Sequence, residues 1–109
     1  MKDDRVYLQH ILDAIAKIET YTAGGREAFA HTTLIQDAVI RNFEVIGEAT
    51  KRLSTRLREQ HPEVPWRVVA GFRDVLIHEY EGIEINEVWN VIEHDLPNLK
   101  AQIEGILHQ

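Results

Sequence analysis

Apolar residues recur at three- and four-residue steps along almost the whole chain, and a chain patterned this way buries its apolar surface by packing helices. Leu8, Ile11, Leu12, Ile15 and Ile18 form one stripe, with Asp3 and Asp4 suited to the opening turn and Gly24-Gly25 to its end. A second stripe of Leu34/Ile35, Ala38, Phe43, Ile46, Leu53 and Leu57 predicts a long helix over about residues 32–59. His61-Pro62 stops it, because the residue before proline disfavours the helical region. Pro65 suits the first turn of a third helix running to about Glu79, and Gly82 breaks that helix. Asn86 reads as the N-cap of a fourth helix, with Val88, Trp89, Ile92 and Leu96 facing inward. Pro97 either kinks this helix or starts a fifth, whose inner face is Leu99, Ile103, Ile106 and Leu107. No segment alternates as a strand does. The expectation is an all-α, antiparallel four-helix bundle with a kinked or split last helix, one domain over residues 1–109.

Composition narrows the functional classes. With 44% hydrophobic residues in 109, the chain has enough apolar surface for a core of its own. The absence of cysteine removes disulfide scaffolds, thiol catalysis and thiolate metal sites. Apolar runs are too short to span a bilayer, and Met-Lys-Asp-Asp-Arg lacks the apolar stretch of a signal peptide, so a cytoplasmic protein is expected. Twelve basic against eighteen acidic side chains give a net charge of −6. A broad phosphate-binding coat should be basic, so any nucleic-acid chemistry must sit in a small, locally positive site. On the second helix, Arg41, Glu44, Glu48, Lys51, Arg52, Arg56 and Arg58 read as a solvated charged face, with a phosphate-steering patch of Arg52, Arg56 and Arg58 as the sharper alternative.

The third helix differs from the rest. Trp66 to Tyr80 is apolar almost all round, which predicts a place at the centre of the bundle, and its polar residues then need partners. Arg67, Gly71, Asp74 and His78 follow steps of four, three and four and form one narrow line. Asp74 stands one turn from His78, where a carboxylate can orient an imidazole and favour its protonated form. Arg73 is off that line: at 100° per residue it sits roughly 140° from His78 but only about 20° from Tyr80. On one straight helix Arg73 and His78 do not converge on one small ligand. A frayed helix end or a second copy across a two-fold axis would bring them together, and the second would make a locally positive cleft in an acidic protein. Taken singly, His78 reads as a hydrogen-bonded core histidine, Arg73 as a partner of Glu44 or Glu48, and Tyr80 as a packing residue at a helix end. All three bland readings would have to coincide within eight residues.

Arg73-Asp74-Val75-Leu76-Ile77-His78-Glu79-Tyr80 resembles the Arg-x-x-x-x-His-x-Tyr motif of HepT-like toxins in the HEPN superfamily. The resemblance extends over nearly the whole chain, through Asn42 to Ala49, Pro65-Trp66-Arg67, Gly82-Ile83, Val88-Trp89 and Asp95-Leu96-Pro97. It departs from many HEPN proteins in carrying Asp74 where they have asparagine. It implies a homodimer whose cleft cuts RNA without metal or other cofactor, through attack of the 2′-hydroxyl. By the motif, Arg73 clamps the phosphate, His78 is the acid/base, Asp74 supports it, and Tyr80 receives AMP from an MntA-type nucleotidyltransferase antitoxin that silences the toxin, as in type VII-like pairs.

Two other readings stay open on the sequence. The same cleft would serve a non-catalytic subunit that holds nucleotide for a minimal nucleotidyltransferase. A metal-dependent hydrolase fits less well, because His10, His31, His61, His78, His94 and His108 show no His-Glu-x-x-His or His-x-x-x-His spacing. A purely structural helical dimer leaves Arg73, Asp74 and His78 unexplained.

Overall fold

In a computed structural model, which describes residues 3–71 and 85–109, the chain is helical and no strand occurs among the described residues. The elements are α1 (Asp4–Tyr21), α2 (Arg26–His31), α3 (Thr33–Arg52), α4 (Thr55–Gln60), α5 (residues 66–71 of the described part), α6 (Ile85–Asn90), a π-helical turn (Val91–Asp95) and α7 (Leu96–Leu107).

Helix α1 lies between α3 and α7 and runs antiparallel to both. Asp4 at its start meets Ser54, just beyond the end of α3. Arg5 donates to the carbonyl of Leu107 at the end of α7, and Glu19 near the end of α1 pairs with Lys100 near the start of α7 at 3.1 Å. The predicted stripe is the buried one: Leu8, Ile11, Ile15 and Ile18 are at most 1% exposed, and Ala14 joins them. Against them stand Val39, Phe43 and Ile46 of α3 and Leu99, Ile103 and Ile106 of α7. Burial of each large aliphatic side chain contributes about 1.5–3 kcal/mol. Near its start, α3 is one residue out of the expected register. Val39 is buried where Ala38 is only half-buried, and Leu34 is 78% exposed.

The segment expected as one helix over residues 32–59 is two helices. Leu53 and Ser54 take extended backbone angles, with ψ of 145° and 150°. Leu53 turns into the core at 3% exposure, and Ser54 caps α4 by accepting from the Leu57 N–H at 3.1 Å. The Asp4 carboxylate fixes the break: Oδ1 accepts from the Ser54 N–H at 2.8 Å and Oδ2 from its hydroxyl at 2.6 Å. A serine at N-cap competes with the helix for exactly such local bonds. The short α2 was not expected at all. It opens at Gly25, whose φ of +94° suits glycine and turns the chain back after α1 ends at Tyr21. Asn86 is not an N-cap, since α6 already includes Ile85; its side-chain oxygen accepts instead from the Arg26 guanidinium.

At the last helix the two expectations for Pro97 merge. A proline lacks the N–H for the fourth residue back and crowds that carbonyl. Residues Val91–Asp95 widen into a π turn, in which the Leu96 N–H reaches the Val91 carbonyl, and Pro97 falls in the first turn of α7. The backbone at Asn90, Asp95 and Leu96 stays helical, so α6 and α7 continue one another.

Asp4→Ala should lower stability by about 1 kcal/mol through loss of the Ser54 anchor. Ile46→Ala, in a fully buried position, should cost about 2–5 kcal/mol. Urea denaturation checks both; an unchanged midpoint for Asp4→Ala would show that the α3–α4 break holds without α1.

Candidate active site

The residues singled out in the sequence for chemistry, Arg73, Asp74, His78 and Tyr80, lie outside the described residues. What the structure gives is how the chain is held on either side of them. On the N-terminal side, Trp66 is 7% exposed, and its indole Nε1 donates to the His61 carbonyl at 2.9 Å. The Val69 N–H closes the first turn of α5 on the Pro65 carbonyl at 3.0 Å. Val64 and Val69 are buried beside Trp66, and Gln102 of α7 donates to the Glu63 carbonyl at 3.2 Å. On the C-terminal side, the Trp89 ring packs on Phe29 with centroids 5.6 Å apart, and Arg26 bonds Asn86. Phe29 itself is 1% exposed, so α2 is a short bracket for the start of α6.

The expectation that the third helix is buried all round does not hold for its described turn. Arg67 is exposed and Val68 is 59% exposed, while Trp66 and Val69 face the core. In this turn α5 presents one face to the core and the other to the surface.

The charged surface of the long helix divides at the Leu53–Ser54 break. Arg41 pairs with Glu44 at 3.4 Å and Arg52 with Glu48 at 3.5 Å; these four, with Tyr7 and His10, line a groove of about 490 Å³ between α1 and α3. Arg58, beyond the break, belongs instead to a groove of about 450 Å³ between α4 and α5, which it shares with Arg67. Of the three arginines Arg52, Arg56 and Arg58, Arg52 and Arg58 thus line different grooves. Sequence periodicity missed the pairing of Arg58 with Arg67; Ser54, a residue that favours N-caps, was the available sign that α4 is a separate helix.

The described histidines are spread out. His10 meets the edge of Tyr7, and His31, His61 and His94 each lie 3.3–3.4 Å from one nearby glutamate. Among the described residues no group of three His, Asp or Glu side chains could hold a metal ion. No described helix is long and apolar enough to cross a membrane.

An all-α bundle whose polar motif is carried between α5 and α6 is the class of protein that these observations define. Residues 11–106 match the model of the HepT-like ribonuclease family, and the chain belongs to that family. It is 42% identical over 109 residues to a Methanocaldococcus jannaschii protein whose name joins a gamma-glutamylcyclotransferase to a provisionally assigned RNase. That match covers 99% of this chain but only 49% of the relative, so the chain spans about half of that protein. It is 40% identical to a provisionally named RNase of Caldanaerobacter subterraneus subsp. tengcongensis, with 100% and 98% of the two chains covered. It is 41% identical to a protein of Thermococcus cleftensis named a probable ribonuclease HepT, with 92% of each covered. No solved structure matches the chain significantly.

Trp66→Phe should keep the fold but leave the His61 carbonyl with the Val64 N–H as its remaining donor, at a cost of about 1 kcal/mol. Thermal denaturation reads this as a fall of several degrees; an unchanged Tm would show that the indole bond does not hold the start of α5.

Proposed function

We propose that the chain is the ribonuclease toxin of a toxin–antitoxin pair, acting in the cytoplasm as one domain and cutting RNA without metal at a homodimer cleft. The observation that carries this is the Arg73-x-x-x-x-His78-x-Tyr80 pattern inside a segment matched throughout by the HepT-like ribonuclease family. The RNase names of the relatives support the same activity.

The chemistry needs few protein groups, because RNA carries its own nucleophile. The 2′-oxygen bonds to phosphorus, the bond from phosphorus to the 5′-oxygen breaks, and a 2′,3′-cyclic phosphate and a 5′-hydroxyl result. A proton leaves the 2′-hydroxyl and another reaches the departing 5′-oxygen. A histidine can serve either transfer near neutral pH, and a two-fold cleft offers two copies of His78. Arg73 holds the non-bridging oxygens as charge builds on them. Asp74 orients the His78 imidazole. Tyr80 accepts AMP from the partner nucleotidyltransferase; the added phosphates repel RNA and occupy the arginine.

Arg73→Ala and His78→Ala should each lower cleavage of labelled RNA by at least 10²-fold, and EDTA should leave the unaltered chain active. Cleavage retained in His78→Ala, or abolished by EDTA, would sink the assignment. The roughly 140° between Arg73 and His78 on a straight helix favours a site shared between chains, so a mixture of the two inactive variants should regain part of the activity. Failure to regain any would put a complete pair on each chain. Tyr80→Phe should stay active yet escape silencing by the partner with ATP, and mass spectrometry should find AMP units on Tyr80 and none on Tyr7 or Tyr21.

A further inference from the structure

Arg58 and Arg67 line one groove between α4 and α5, together with Thr55, Glu59, Trp66 and Ala70. Two features set it apart. Arg58 Nε is buried without a hydrogen-bond partner among the described residues, a state that costs free energy. Neither arginine is in an ion pair among the described residues, whereas Arg41, Arg52 and Lys100 each hold a glutamate. Two guanidinium groups outside any ion pair thus share one open surface, with the Glu59 carboxylate beside them, in a chain that is acidic as a whole.

We infer that this groove is a subsite for a backbone phosphate of the RNA, held by Arg58 and Arg67. The inference rests on the ribonuclease reading for its choice of polyanion. The two non-bridging oxygens of a phosphodiester suit a planar guanidinium fork, and the terminal nitrogens of the two arginines are the groups that would hold them. In the sequence Arg67 stands six residues before Arg73, the first residue of the motif. Glu59 is the one acid among the described residues that line the groove, and its charge opposes a bound anion. A few local contacts of this kind are how an acidic protein can hold a polyanion without a basic coat.

The test uses the His78→Ala chain, which leaves a labelled single-stranded RNA intact for binding measurements. Arg58→Ala and Arg67→Ala should each weaken binding about tenfold at low salt. Each should also make the slope of log affinity against log salt shallower by about 0.7. Glu59→Gln should tighten binding, a gain that damage to the fold would not produce. Should Arg58→Ala fail to fold, Arg67→Ala and Arg67→Glu carry the test, since Arg67 is exposed. No RNA binding by the His78→Ala chain, or equal affinity and slope in the arginine variants, overturns the subsite. So does stabilisation of the unaltered chain, but not of the double arginine variant, by inorganic phosphate while RNA affinity stays equal, because the groove would then hold free phosphate. Loss of RNA binding in the arginine variants, with no cleavage by the unaltered chain, would leave the subsite standing and remove the ribonuclease reading alone.

Discussion

The packing of α1 against both α3 and α7 is the interaction on which the rest of the molecule depends. Its stripe of Leu8, Ile11, Ala14, Ile15 and Ile18 is almost completely shielded from water. Through Asp4 it fixes where α3 ends and α4 begins, and so how α4 stands against α5. Through Lys100 and the Leu107 carbonyl it sets α7, whose Gln102 reaches the loop before Trp66. The surface ion pair at Lys100 adds little energy by itself, and the hydrophobic seam supplies most of the stability.

Much of this was legible in the residue pattern because helix packing writes a period into the sequence. The stripes of α1 and α7, the stop at His61-Pro62 and the start after Pro65 all follow from local rules. What escaped were features set by a second element. The break at Leu53–Ser54 depends on a carboxylate fifty residues away, and a stripe through Leu53 and Leu57 looks the same whether the helix is whole or broken. The exposure of Val68 is likewise invisible to periodicity, which shows how apolar a segment is and not how many neighbours surround it. The family was legible through a different kind of signal, the spacing of Arg73, His78 and Tyr80, with chemistry too specific to come from a folding pattern.

The same contrast governs the charged residues. Arg41 and Arg52 find glutamates three and four positions away on their own helix, as local spacing leads one to expect. Arg58 and Arg67 come from different helices and meet only through the tertiary fold. A sequence reading could place each on a helix surface; it had no means to place them opposite one another.

The π turn ahead of Pro97 has a consequence for how the chain tolerates change in length. Val91–Asp95 accommodates one residue more than an α-helical turn would, and the stripe of Leu99, Ile103 and Ile106 meets α1 only because that extra residue is counted in. Taking out a single residue here would restore ordinary helical bonding locally, yet would swing α7 by about 100° about its own axis and aim its apolar stripe away from α1. The turn thus works as a phase-setting insertion: side chains on the exposed face of this rod can change, while its residue count between Trp89 and Leu99 is tied to the core.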